Sequence, residues 1–261
     1  MMRFAANLTM LYTRLPFIER FAAARMDGFT AVEFVSPYEH SPDELAQVLR
    51  ENDLTPVLFN LPAGDWAAGE RGIAALPDRK HEFREGVEGA IRFAKALGVT
   101  QLNCLAGAPS TAVSPREVHD TLVENLAFAA AELARHDIRL LLEPVNDRDV
   151  PGFAVATVED AVDIIAEVGS PNLFLQYDLY HAQVMQGDLL PTFLRHQEMI
   201  RHIQIADHPG RHEPGTGEIN YRFLLPAIRS AGYEGWFGCE YIPGDPGGMG
   251  WLSDFDTEEE S

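Results

Sequence analysis

Residues 139–178 read RLLLEPVNDRDVPGFAVATVEDAVDIIAEVGSPNLFLQYD and hold one strand–helix–strand repeat. Arg139–Glu143 is a short apolar run that closes in a carboxylate, and Leu173–Asp178 is another. Between them, Val158–Val168 carries apolar residues at helical spacing, and Gly169 stands where a helix terminates. Two such strands joined by a helix mark a parallel βαβ unit.

The same pattern extends in both directions. Further strands are expected at Arg3–Thr9, Ala31–Val35, Thr55–Asn60, Gln101–Leu105, His202–Asp207 and Trp236–Tyr241. Helices are expected near Pro16–Asp27, Pro42–Asn52, Arg79–Leu97, Pro115–His136, Leu189–Gln197 and Tyr221–Ser230. Ser41-Pro42 and Ser114-Pro115 read as N-caps followed by proline, Gly28 and Gly98 as stops, and Asn220 as a cap for Tyr221–Ser230. Eight strands alternating with seven helices suit a single (β/α)8 TIM barrel, which takes about 250 residues; the chain has 261. Residues 1–253 are assigned to the barrel, with its last helix reduced or absent, and residues 254–261 to an acidic, disordered tail. A doubly wound sheet is the runner-up, but no strand runs into a GxGxxG or Walker A loop.

Composition narrows the function classes. A formal charge of −20 opposes phosphate backbones and anionic membrane surfaces, so no nucleic acid or membrane partner is expected. Two cysteines, Cys104 and Cys239, exclude a disulfide scaffold and a cysteine-rich zinc site. Both read as structural thiols, Cys239 facing away from its neighbour Glu240. The only lysines, Lys80 and Lys95, share one helix, which argues against Schiff-base chemistry. With no signal-peptide pattern and no apolar run of about 18 residues, a cytoplasmic protein is expected. No stretch identifies an interface for a homo-oligomer.

In a barrel of this kind, chemistry sits where the strands end. The last four expected strands deliver Glu143, Asp178, Gln204 and Glu240 at comparable depth. A solvated strand end explains any one of them. Four in succession would crowd three negative charges, which a divalent cation or a shared proton relieves. Oxygen ligands favour Mg²⁺ or Mn²⁺ over zinc or copper. An anionic substrate would also need a cation, and Arg211, in the loop after strand seven, is the first choice. His181, three residues past Asp178, suits a substrate-polarising role as well as a structural one.

The chain resembles the hydroxypyruvate isomerase family, within the xylose isomerase-like barrel superfamily. The resemblance runs from Arg3 to about Trp251. It is carried by Asn60–Gly72 (NLPAGDWAAGERG), Leu141–Pro144 (LLEP), Gln176–Asp178 (QYD) with His181, Gln204–Asp207 (QIAD), Arg211–Tyr221 (RHEPGTGEINY) and Gly238–Tyr241 (GCEY). It implies an aldose–ketose type isomerase of glyoxylate metabolism acting on a small 2-oxo acid. The reaction would interconvert hydroxypyruvate and 2-hydroxy-3-oxopropanoate, with Glu143 and Glu240 as the proton-transfer pair. It also implies a metal site from Glu143, Asp178, Gln204 and Glu240. Many relatives place His where this chain has Gln204, which makes the site all-oxygen and puts a strict metal requirement in question. The Asn60–Gly72 segment, with Trp66 between glycines, is read as a lid. Alternatives are a 2-oxotetronate isomerase, a related keto-sugar epimerase and a non-catalytic sugar-acid binding protein. A zinc-dependent DNA-repair nuclease of the superfamily is opposed by the −20 charge and by Gln204.

Overall fold

The computed structural model describes residues 2–244 and 248–255. Its strands are β1 (Phe4–Asn7), β2 (Ala31–Phe34), β3 (Thr55–Asn60), β4 (Gln101–Cys104), β5 (Arg139–Leu142), β6 (Leu173–Asp178), β7 (Ile200–Ile205) and β8 (Phe237–Cys239). Each pairs in parallel with the next, and β8 pairs with β1, so the sheet closes into a barrel. The helices are α1 (Phe17–Met26), α2 (Pro42–Glu51), α3 (Lys80–Leu97), α4 (Pro115–Ala134), α5 (Val158–Val168), α6 (Leu179–Met185), α7 (Leu189–His196) and α8 (Tyr221–Ser230).

Local chemistry sets the helix ends. Ser41 and Ser114 accept from the backbone amides of Glu44 and Glu117 and are followed by prolines at the first helical position. Thr157 and Asp160 form a reciprocal capping box at the start of α5, and Gly98 and Gly169 close α3 and α5 in the left-handed conformation. Asn220 caps α8 as expected.

One element differs from the sequence reading. Among the described residues the expected seven helices become eight, because α6 begins directly at the end of β6, with Asp178 as its N-cap. Its seven residues include five buried ones, Leu179 to Ala182 and Val184, so no polar face marks it out in sequence. Among the described residues, β8 is followed by a 3₁₀ turn, Gly250–Asp254, in place of a full last helix, in line with the expected reduction. Asp254 pairs with Arg222 and Phe255 packs edge-on against Phe4 and Trp251. Residues 256–261 of the expected tail lie outside the described residues. Among the described residues no helix is long and apolar enough to cross a membrane.

The main core lies between sheet and helices, and a smaller apolar plug of Ala5, Ala31, Val57, Leu58 and Leu141 forms a second cluster. The barrel interior also carries a polar layer, where such barrels usually hold branched apolar side chains. Glu33 on β2 bonds His202 and Gln204 on β7, strands that are not neighbours, so these bonds cross the interior.

The loop after β3 is tied to the segment just past β4 by a bridge between Gly72 and Ala106. Gly72 has φ +113°, and a Cβ there would fall 2.2 Å from the Leu105 carbonyl oxygen and 2.8 Å from the Gly107 nitrogen. Backbone cannot move aside as a side chain can. Gly72→Ala should therefore cost about 1–3 kcal/mol, read as a lowered urea midpoint; an unchanged midpoint would contradict this anchoring.

Candidate active site

The chemistry-bearing residues stand at the C-terminal ends of β5 to β8. Glu143 follows β5, Asp178 ends β6, Gln204 lies in β7 and Glu240 follows β8. Asp178 and Gln204 are paired in register, as are Gln204 and Gly238, which sets these ends at one level. All four are buried.

Asp178 divides its two oxygens. Oδ1 accepts from the backbone amides of Tyr180 and His181 at the start of α6. Oδ2 is buried without a hydrogen-bond partner, although Arg211 Nη2 and His181 Nε2 each lie 3.6 Å away. Arg211 closes a tighter ion pair with Glu240 Oε2 at 2.7 Å and lies over the Tyr180 ring. One guanidinium thus bridges two of the three carboxylates.

An asparagine holds one oxygen of each glutamate. Asn103 Nδ2 donates to Glu143 Oε2 at 2.6 Å, and Asn7 Nδ2 donates to Glu240 Oε1 at 3.2 Å. Burial pushes Glu143 well above the ordinary carboxylate range, and repulsion from Glu240 and Asp178 adds to it. Burial pushes Glu240 up to about 8, against the pull of Arg211. Burial opposes the charge on Arg211, but Glu240, Asp178 and Glu143 outweigh it and raise its value. The pair of glutamates is therefore proton-retaining and strongly interacting.

His181 is buried, and burial lowers it to about 4, so its ring is neutral near pH 7. Its Nδ1 faces both the backbone amide of Asn146 at 3.3 Å and the Asn146 side-chain nitrogen at 2.6 Å. A backbone N–H can only donate, so Nδ1 accepts and Nε2 carries the proton. Glu143, Asp178 and His181 offer ligand atoms within 4.8 Å of one another. The protonated Nε2 fits a donor to substrate oxygen better than a metal ligand.

The loop that carries Arg211 is built on Asp207. Its carboxylate accepts from the amides of His208, Gly215, Gly217 and Ile219, while its own amide donates to the His212 carbonyl. The Arg211 carbonyl accepts from Ile242, two residues past Glu240, which ties the arginine's backbone to the strand end it serves. The expected lid residue Trp66 is 40% exposed and stacked by Arg71 at 3.8 Å. With Phe17, Tyr38 and Leu61 it lines a cavity of about 670 Å³ among the loops after β1, β2 and β3. Cys104 is pushed up to about 12 by burial and Cys239 is also buried and raised, which fits structural thiols.

The residues missed in the sequence are Asn7, Glu33, Asn103 and Asn60, whose Oδ1 accepts from Asn103 Nδ2 at 3.3 Å. Each lies at or near the end of one of the first four strands, and the rule applied to β5–β8 would have found them.

The chain matches the xylose isomerase-like TIM barrel family model over residues 21–256. It belongs to that family. Among its relatives, the hydroxypyruvate isomerase of Escherichia coli (strain K12) is 51% identical over 93% of this chain and 94% of that one. The 2-oxo-tetronate isomerase of Cupriavidus necator is 46% identical over 98% and 99%. A crystal structure described as AP endonuclease, family 2, from Brucella melitensis superposes with a TM-score of 0.94 at 43% identity, covering 98% of this chain and 99% of the other. For this xylose isomerase-like barrel, the family identifies the carboxylate-lined mouth as the place to seek chemistry.

The raised glutamates have a consequence for stability. Above about pH 6.5, the ordinary histidine value, buried neutral His181 adds no further pH dependence. A carboxyl raised to about 8 keeps its proton in the folded chain when the unfolded chain has lost it. Its stabilising contribution is then lost as pH climbs toward 8. In EDTA the melting temperature should fall from pH 6.5 to 8, and Glu240→Gln should flatten the slope. A flat wild-type profile would contradict the raised values.

Proposed function

We propose that this barrel is an isomerase interconverting hydroxypyruvate and 2-hydroxy-3-oxopropanoate. The observation that carries the reading is the pair of buried, proton-retaining carboxyls, Glu143 and Glu240, gathered around Arg211. One, ionised, removes a proton from C3 of hydroxypyruvate while an acid protonates the oxygen on C2, giving an enediol. Return of a proton to C2, with loss of the proton on the C3 oxygen, completes the shift. One carboxyl acting in its ionised form and one in its protonated form suit this chemistry. His181 Nε2–H donates to the substrate's carbonyl oxygen, and Arg211 takes the substrate carboxylate.

The donor set fits a hard divalent cation. Asp178 Oδ2 is buried and unpartnered, and the other candidate ligand atoms are carboxylate or amide oxygens. Glu143, Asp178, Gln204 and Glu240 would hold Mg²⁺ or Mn²⁺, which when bound would stabilise negative charge on the enediolate oxygens. The chain's own residues position the substrate and move the protons.

A four-carbon substrate, 2-oxotetronate, is the second reading, supported by the 46% identity to a relative named 2-oxo-tetronate isomerase. The −20 charge disfavours a nuclease. The expected cytoplasmic location accords with a small-molecule enzyme of glyoxylate metabolism.

Glu143→Gln and Glu240→Gln should each lower kcat about 10²–10⁴-fold while the melting temperature is kept. NMR turnover assays of both acids, with and without EDTA, check this and rank the two substrates. Wild-type kcat in either variant would exclude the pair. Arg211→Lys should raise KM for the acid more than it lowers kcat, and the opposite split would remove Arg211 from carboxylate binding. Trp66→Ala should impair turnover more than thermal stability, and the reverse would make Asn60–Gly72 an ordinary surface loop.

A further inference from the structure

Beneath the site lies a buried acid that the reaction does not use. Glu33 is fully buried on β2. Its Oε2 faces His202 Nε2 at 2.6 Å, and its Oε1 accepts from Asn7 Nδ2 at 2.9 Å and Gln204 Nε2 at 2.7 Å. Space for it is left by Gly238, where a Cβ would fall 2.2 Å from Glu33 Oε2.

An amide has two distinct ends, and only its oxygen can hold a metal ion. A carboxylate oxygen that accepts from Gln204 compels the NH₂ end to face Glu33 and turns the carbonyl oxygen away from it. That oxygen accepts from Gln176 Nε2 at 2.6 Å, which leaves one lone pair free. Gln176 must donate because Gln204 presents its oxygen, and the Gln176 carbonyl oxygen is left without a partner. The ladder therefore runs in one direction, and the acceptor at its head sets that direction. The same Glu33 oxygen fixes Asn7, whose Nδ2 also donates to Glu240 and whose oxygen accepts from the Thr9 amide.

We propose that Glu33 is a positioning residue: it dictates which end of the Gln204 amide faces the metal site and seats Asn7 against Glu240. The role rests on the metal reading above. It gives the polar layer a purpose, which is to make a flippable glutamine serve as an oriented oxygen donor. Partners that orient metal ligands typically change affinity 10–100-fold when lost.

The test is isothermal titration of the purified full chain with Mn²⁺, below the melting temperature of each variant, together with kcat and KM. Glu33→Leu, similar in volume but without acceptors, should bind Mn²⁺ at least about tenfold more weakly and lose kcat more than KM. Glu33→Gln keeps a carbonyl oxygen for both amides and should recover Mn²⁺ affinity to within about threefold. Gln176→Leu removes the other neighbour of Gln204 and should leave Mn²⁺ affinity unchanged or tighter; it also serves if Glu33→Leu does not fold. The role is overturned if Glu33→Leu binds like the wild type, if Glu33→Gln is as weak as Glu33→Leu, or if Gln176→Leu abolishes binding. Asp178→Asn separates this from failure of the metal reading. If Asp178→Asn also binds like the wild type, the metal site itself is misplaced and the role of Glu33 falls with it. If Asp178→Asn abolishes binding and Glu33→Leu does not, only the positioning role is lost.

Discussion

Three buried carboxylates, those of Glu143, Asp178 and Glu240, share the single guanidinium of Arg211 at the mouth of the barrel. Away from water, like charges so close cannot all stay ionised without compensation. The chain compensates locally, with the Asn103 and Asn7 amides, the first amides of α6 on Asp178 and the ion pair to Glu240. What remains uncompensated appears as raised glutamates and as one Asp178 oxygen without a donor. That imbalance leaves the site proton-retaining, with one buried Asp178 oxygen unpartnered.

Holding such a site requires stiffness beneath it and beside it. The polar layer supplies the first, through bonds from Glu33 on β2 to His202 and Gln204 on β7 that brace non-adjacent strands across the barrel interior. The Asp207 carboxylate supplies the second, gathering four backbone amides into a fixed loop that aims Arg211. Truncating one member of such networks leaves buried polar groups unpaired, a cost greater than the bond itself contributes.

Much of the fold and half of the site were legible in the sequence, for a physical reason. The strand runs, the serine–proline helix starts and the glycine stops are local signals, and local geometry obeys them. Glu143, Asp178, Gln204 and Glu240 stood out because each interrupts or closes an apolar run. Helix α6 was hidden because burial on all sides leaves no amphipathic period. Glu33, Asn7 and Asn103 stand at strand ends where the same rule would have found them, but what they do depends on partners some 26 to 233 residues away, which no short pattern encodes. The pairing of Arg211 with Glu240 is of the same long-range kind, although the need for a cation was already visible in the −20 charge.

The central claim is that paired carboxyls carry a substrate proton, and solvent exchange tests it most directly. Wild-type protein is incubated with hydroxypyruvate in D₂O, and the carbon-bound hydrogens of substrate and product are followed by NMR. Proton transfer through an enediol predicts deuterium at C2 of 2-hydroxy-3-oxopropanoate and, by the reverse reaction, at C3 of hydroxypyruvate. Isomerisation that carries no solvent deuterium onto either carbon would contradict the account and point to direct hydrogen migration between the two carbons.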